Sequence, residues 1–228
     1  MTAPTTPTAS PEALVTAVRA QLRAVAEPER APAMQAYMKT TEPFLGVKLP
    51  AVRRVVQAHP PADLDTLLAA ATTLWREASA REEKYAATML LRAAPGAGRL
   101  ELLPFATEVI VTGAWWDHVD AVAHTTCELL QVHRSELTPV LLDWSGSTDM
   151  WLRRSAIIGQ LDARDATDLD LLTEVIEVNA ADREFFVRKA IGWALRQYAR
   201  TDPAWVRAFV TDHPTLSPLS RREALKHL

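Results

Sequence analysis

Trp116 and Asp120 form the residue pair with the clearest chemical potential in the chain. They stand four residues apart in the segment 111–120, VTGAWWDHVD, with Asp117 between them. On a helix this spacing places both side chains on one face, one turn apart. A carboxylate in that position could stabilise a developing positive charge or activate a water molecule, and an indole face attracts the same kind of charge.

Cations occupy related positions elsewhere in the sequence. Five alanines recur at spacings of 35, 35, 34 and 34 residues, each in a segment with a helical pattern: Ala86, Ala121, Ala156, Ala190 and Ala224. Two positions before the alanine, four of the five units carry a basic residue: Lys84, Arg154, Arg188 and Arg222. Basic residues with tryptophans between them are typical of surfaces that bind phosphates together with bases or sugars.

Asp120 is the exception on this basic face. An acid among phosphate-binding cations opposes binding by charge repulsion, and such a conflict is expected chiefly where function requires it. Three simpler interpretations stay open. Asp120 could be an ordinary surface acid, the arginines could form a solvated ion-pair face, and the adjacent Trp115 and Trp116 could belong to the core. His118, His124 and Cys127 lie nearby, but their spacing matches no zinc signature, so we expect neither a metal nor a cofactor.

The elements that position these residues are predicted to be helices. The chain has only seven glycines, and no stretch alternates apolar and polar residues as a half-buried strand would. Helix starts are expected at Ser10, Asp63, Ser135, Ser147 and Thr167. A repeat of about 34 residues that contains two helices predicts an all-α solenoid of stacked helix pairs, whose equivalent faces line one concave surface.

Composition bounds the class of protein. Apolar residues make up 48% of the 228-residue chain, and no apolar run approaches the roughly 18 residues of a membrane span. The start of the chain lacks the features of a signal peptide, and a single cysteine fits a reducing compartment. We therefore expect a cytoplasmic protein with a disordered tail over residues 1–10 and a single domain over residues 11–228.

The charge of the chain is unevenly distributed. The formal net charge of −3 alone argues mildly against binding to nucleic acid. Residues 183–228, however, contain nine basic and only four acidic residues, so this last fifth of the chain carries +5 and the remainder −8. A basic C-terminal part is compatible with a surface that binds nucleic acid.

Five segments together resemble one protein family. The core of the resemblance lies in residues 111–120, in DMWLRRSAI (149–157) and in REFFVRKAIGWALRQYARTDP (183–203). QAYMKTTEPFLGVKLPAVRR (35–54) and PLSRREALKHL (218–228) match in the same order. The chain resembles the AlkD-like DNA alkylation repair family of HEAT-like repeat DNA glycosylases over nearly everything after the first ten residues. The sequence departs from the family pattern at Gly113, Ala114 and Gln197.

The resemblance implies a right-handed α-solenoid of HEAT-like repeats with a concave, basic face for DNA. It implies base excision repair, in which the enzyme removes N3- and N7-alkylated purines from double-stranded DNA. A concave DNA-binding solenoid can act as a monomer, so we expect a monomer, and we expect no membrane partner. Asp120 matches the catalytic carboxylate, and Trp116 and Trp193 match tryptophans of the active-site cleft. Arg154 matches an arginine that contacts DNA beside the lesion, and Tyr37 matches a tyrosine of the first helices. With the basic face, the expected DNA-binding residues are Arg154, Tyr37, Lys84, Arg188, Lys189 and Arg222.

Two other functions stay open from the sequence. The chain could be a non-enzymatic helical-repeat scaffold that binds proteins, because this fold alone does not determine activity. It could also recognise distorted DNA without cutting the glycosidic bond. Asp120 argues against the second alternative, because a simple DNA binder gains nothing from an anion beside phosphates.

Overall fold

The computed structural model describes residues 7–228, and within them all regular secondary structure is helical apart from one isolated β-bridge. The all-α class is therefore confirmed. Contacts divide the described chain into two compact units, one that ends at Phe105 and one formed by Ala106–Leu228. Helix α6 (Leu103–Gly113) contains the boundary.

The first unit holds five helices before α6: α1 (Pro11–Ala24), α2 (Ala31–Met38), α3 (Leu49–Ala58), α4 (Leu64–Arg76) and α5 (Arg81–Leu90). Ser10 and Asp63 cap α1 and α4 through side-chain oxygens that accept hydrogen bonds from backbone N–H groups, as their sequence positions predict. Helix α1 packs against α3, α4 and α5, and its apolar face is buried.

Backbone hydrogen bonds attach Thr8, which precedes α1, to the segment between α3 and α4. Thr8 N–H donates to the carbonyl of Pro60, and Ala62 N–H donates to the carbonyl of Thr8, at 2.8 and 2.9 Å. Of the tail expected over residues 1–10, residues 1–6 lie outside the described part of the chain. Within residues 7–10, Thr8 is therefore held against the segment that follows α3.

The second unit is a two-layer stack of helices: α7 (Trp116–Val132), α8 (Arg134–Ser145), α9 (Met150–Ile158), α10 (Leu169–Val178), α11 (Phe185–Tyr198), α12 (Pro203–Asp212) and α13 (Pro218–Ala224). In the first layer, α7 contacts α9, α9 contacts α11, and α11 contacts α13. In the second layer, α8 packs on α7, α9 and α10, and α12 packs on α11 and α13. The alternation of layers is the two-helix repeat that the alanine period predicts.

The anchor alanines of this unit all fall on the first-layer helices. Ala156, Ala190 and Ala224 are buried, whereas Ala121 is half-buried. Small residues let the helices approach closely, and Gly192 of α11 shows how closely. A Cβ added at Gly192 would lie 2.4 Å from the Cβ of Glu223 and 2.8 Å from the carbonyl oxygen of Ser220, both on α13.

Candidate functional site

Asp120 lies on the second turn of α7, where its carboxylate is held by Arg154 of α9. Arg154 donates from Nε to Asp120 Oδ1 and from Nη2 to Asp120 Oδ2, at 2.8 Å in both cases. This two-point contact fixes the plane of the carboxylate as well as its position. The Asp120 side chain stays 18% exposed, so Arg154 does not close it off from solvent.

Arg154 connects the three helices that form the site. Its side chain is only 4% exposed, and Nη1 donates to the backbone carbonyl of Phe186 on α11 at 2.7 Å. Its Cζ also lies 5.8 Å from the ring centroid of Trp193. The sequence predicts a direct contact between Arg154 and DNA. That contact stays a prediction, since in the protein alone the guanidinium orients Asp120.

Burial and charge act on Asp120 in opposite directions. Burial raises the pKa of the Asp120 carboxyl, the hydrogen bonds and charge of Arg154 lower it, and the negative charge of Asp117 raises it. The net result is a pKa above the ordinary value of 3.8. A carboxylate with a raised pKa is more basic than a solvated one, and is therefore better suited to accept a proton from water.

A cleft of about 310 Å³ opens beside the Asp120 carboxylate. It is lined from α7, α9 and α11 by four aromatic and four charged residues: Trp116, Phe185, Phe186, Trp193, Asp120, Arg154, Lys189 and Arg196. The predicted set of Asp120, Trp116, Trp193, Arg154 and Lys189 is thus brought together around one opening. Aromatic walls around a single acid form a place where a positively charged, planar group can bind.

A cluster of aromatic rings supports one side of the cleft. The ring of Phe186 lies 5.4 Å from that of Trp115 and 5.1 Å from that of Trp151, measured between centroids. Trp151 is buried, and both tryptophans of the 115–116 pair are half-buried. Phe186 was not singled out from the sequence, although the doubled phenylalanine of the motif at residues 183–203 is the signal that marks it. Its backbone carbonyl helps to position Arg154, and its ring packs against the tryptophans.

Two cations of α11 belong to the cleft lining with Asp120. Lys189 and Arg196 line the cleft, and both pair with Glu223 of α13. Arg188 and Arg222 do not belong to the cleft lining. Arg222 is exposed on α13, which leaves it available to a ligand outside the cleft.

Tyr37 and Lys84 belong to the first unit. Tyr37 is 74% exposed on α2. Lys84 of α5 forms an ion pair with Glu42, and its Nζ lies 5.4 Å from the ring centroid of Trp75. Their contact with DNA stays a prediction.

Cys127 and His124 of α7 are the other residues near Asp120 whose types could act as a nucleophile or a metal ligand. Burial raises the pKa of the Cys127 thiol to about 11, which makes it a poor nucleophile. His124 Nδ1 lies 2.9 Å from Asp162 Oδ2. Among residues 7–228, no three His, Cys, Asp or Glu side chains are grouped as metal ligands would be. Within the same range, no helix combines the length and apolar character needed to cross a membrane.

Comparison with known proteins finds a matching family model and matching solved structures. The family model described as "DNA alkylation repair enzyme" matches residues 18–228. A solved structure titled a predicted DNA alkylation repair enzyme from Enterococcus faecalis is 32% identical to this chain, with a TM-score of 0.79. The match covers 89% of this chain and 96% of that chain. No curated protein sequence matches the chain.

Proposed function

Since the chain belongs to the DNA alkylation repair enzyme family, we propose that it is a monofunctional DNA glycosylase that acts as a monomer on double-stranded DNA. Its substrates are purines with a positive charge from alkylation at N3 or N7, of the 3-methyladenine and 7-methylguanine type. The family supports a role in the repair of DNA damage, and the cleft around Asp120 supports the reaction and the substrate class. The reaction is hydrolysis of the N-glycosidic bond, and it uses no metal or cofactor.

The observation that carries the proposal is the position of Asp120 and its contacts. It is one fixed, partly exposed carboxylate in a cleft with aromatic walls, and Arg154 occupies only one side of it. Each carboxylate oxygen has two lone pairs, so the two bonds from Arg154 leave acceptor capacity that can face the cleft. An acid that served only to hold the helices together would not need an open edge.

The charge of the substrate explains why one carboxylate suffices. A purine alkylated at N3 or N7 is positively charged and leaves as a neutral base, so no general acid is needed to protonate it. As the glycosidic bond breaks, the deoxyribose gains positive charge. Two unit charges 4 Å apart attract by about 4 kcal/mol at an effective dielectric constant near 20. If this attraction arises mainly in the transition state, it accelerates the reaction by roughly a thousandfold.

The second task of Asp120 is to handle the attacking water. A carboxylate beside the sugar can accept a hydrogen bond from this water and take its proton as the new C–O bond forms. The raised pKa of Asp120 favours that proton transfer. Arg154 keeps the carboxylate in one orientation throughout, which avoids a reorganisation cost during the reaction.

The tryptophans serve the charged base or sugar. Trp116 and Trp193 line the cleft with Asp120. An indole face attracts a nearby cation by about 0.5–2 kcal/mol, depending on how far water is excluded. Both the alkylated purine and the developing sugar cation therefore gain stabilisation that an undamaged, neutral purine does not.

The experiment that tests the proposal measures base release. We expect the purified protein to release free 7-methylguanine from methylated duplex DNA and to leave intact abasic sites, without strand cleavage and without an adduct trapped by borohydride. Asp120→Asn should fold and bind DNA but release the base about two to three orders of magnitude more slowly. Equal rates for the two proteins would remove Asp120 from the reaction, and wild-type protein that releases no base would favour a binding or scaffold function.

A further inference from the structure

Glu223 stands at the cationic side of the cleft, on a helix that contributes no residue to the cleft lining. Arg196 Nη1 donates to Glu223 Oε2, and Lys189 Nζ lies 3.5 Å from Glu223 Oε1. A single carboxylate thus spans two cations of the cleft. Both cations also keep access to solvent, because their side chains are 24% and 43% exposed for Arg196 and Lys189.

The packing of α13 on α11 holds Glu223 in this place. The Cβ of Glu223 sits directly over Gly192, where any larger residue would collide with it. Ser220 reinforces the contact, since its hydroxyl donates to the backbone carbonyl of Arg188 at 2.9 Å. Lys189 and Arg196 lie on either side of Gly192 along α11, so Glu223 reaches both from one fixed position.

The chemistry of this arrangement conflicts with simple DNA binding. Lys189 and Arg196 are the two cleft-lining cations other than Arg154, which is already paired with Asp120. Cations at the edge of a DNA-binding cleft are expected to neutralise phosphates. Here the Glu223 carboxylate pairs with both cations instead. The same cations hold the pKa of Glu223 below its ordinary range, mainly through the hydrogen bond from Arg196, so the carboxyl is negatively charged at neutral pH.

We propose that Glu223 is a specificity-determining residue that competes with the DNA backbone for Lys189 and Arg196. Damaged and undamaged duplex both have to displace or share these ion pairs to bring phosphates to the two cations. Glu223 also offsets two positive charges that line the cleft and that would otherwise repel a positively charged purine there. Glu223 therefore weakens binding to undamaged DNA more than binding to a duplex with a cationic purine. This inference rests on the proposed function for the nature of the ligand.

The test compares DNA affinity rather than base release. Glu223→Gln keeps the shape of the side chain and its contact with Gly192 but removes the negative charge. We expect it to bind undamaged duplex about threefold to tenfold more tightly. The plot of log K against log salt concentration should become steeper by about one, because one more protein cation neutralises a phosphate and releases a counterion condensed on the DNA. The ratio of affinities for duplex with and without 7-methylguanine, measured in the Asp120→Asn background so that the base stays attached, should fall.

Two controls separate this role from a general effect of charge. Asp212→Asn removes the same charge from an exposed position at the end of α12 and should leave the affinity and the salt slope nearly unchanged. In a Lys189→Ala/Arg196→Ala background, Glu223→Gln should add no more than Asp212→Asn does, because the cations that it releases are gone.

Two results of these binding measurements would overturn the role of Glu223. Unchanged or weaker binding of undamaged duplex by Glu223→Gln, in protein whose thermal unfolding matches the wild type, would overturn the inference. So would an equal gain in the background that lacks both cations. The binding assay requires no catalysis, so a wild-type protein that releases no base would contradict the proposed glycosylase and still allow the role of Glu223 to be judged.

Discussion

Arg154 holds both oxygens of the Asp120 carboxylate, the group on which the proposed chemistry of the cleft depends. Asp120 and Arg154 stand 34 positions apart, one repeat from each other, and the period alone suggests two residues on one surface. The structure turns them toward each other, with two hydrogen bonds of 2.8 Å. Residue types and the family motif predicted which residues belong to the site. They could not predict this pairing, because the direction of a long side chain is decided by neighbours such as the carbonyl of Phe186.

The raised pKa of Asp120 predicts an acid limit to activity. The proposed reaction needs the ionised carboxylate, so its rate should fall as the pH drops through a pKa that lies above 3.8. Single-turnover release of 7-methylguanine, measured against pH and corrected for spontaneous depurination without enzyme, should show this limb. The limb should be absent from the residual activity of Asp120→Asn. A wild-type rate that stays flat down to the ordinary range of aspartate would contradict the burial effect.

Arg154→Ala distinguishes an internal role of this arginine from a contact with DNA. If Arg154 orients Asp120, its loss should slow base release by roughly tenfold to a hundredfold and move the acid limb to higher pH, since the charge that lowers the Asp120 pKa is removed. The salt dependence of DNA binding should stay the same, because the charge of Arg154 is already balanced within the protein.

Arg154→Lys provides the matched comparison. Lysine keeps the positive charge but cannot make the two-point contact, so it should restore the position of the acid limb more fully than the rate. A salt slope that falls by about one in Arg154→Ala, with normal chemistry, would instead support the phosphate contact that the sequence suggests.

At the scale of helices, the sequence predicted the repeat better than the ends of its elements. The alanine period correctly marked α7, α9, α11 and α13 as equivalent, and these helices form one layer of the second unit. Helix starts were displaced where two capping residues compete. Asp149 rather than Ser147 caps α9, and Asp168 rather than Thr167 caps α10. The choice depends on backbone geometry over one or two residues, which the sequence pattern does not determine.

The close contact of α11 with α13 predicts that replacement of Gly192 by a larger residue destabilises the protein. In Gly192→Ala the new methyl group would lie 2.4 Å from the Cβ of Glu223, so α13 must move. We expect a loss of about 1–3 kcal/mol in the free energy of unfolding, as is usual for an overpacked contact, measured by urea denaturation.

Gly146→Ala is the control for that substitution. A Cβ at Gly146, which follows α8, would have one neighbour, the carbonyl oxygen of Asp143 at 3.9 Å. Its backbone φ of −93° suits any residue, so the change should be neutral or slightly stabilising. Equal losses for the two variants would show that the α11–α13 contact is looser than its geometry indicates.

At the scale of the whole molecule, a net charge of −3 must be reconciled with a ligand that carries one charge per phosphate. The uneven distribution of charge along the chain reconciles the two, because residues 183–228 carry +5. Within that part, basic residues occur on both layers of the second unit: Arg188, Lys189, Arg196 and Arg222 on α11 and α13, and Arg207 on α12. Only the layer that contributes Asp120, Arg154 and Trp193 to the cleft is expected to meet DNA.

This difference between layers predicts unequal effects of two otherwise similar arginines. Arg222 of α13 and Arg207 of α12 are both exposed, so each alanine variant removes one solvated positive charge, and the two variants have equal net charge. Arg222→Ala should weaken binding to damaged and undamaged duplex alike and reduce the salt slope by about one, as the loss of one phosphate contact does. Arg207→Ala should change neither. Equal reductions in both variants would mean that the overall positive charge of the C-terminal part, rather than the cleft-bearing layer, attracts the duplex.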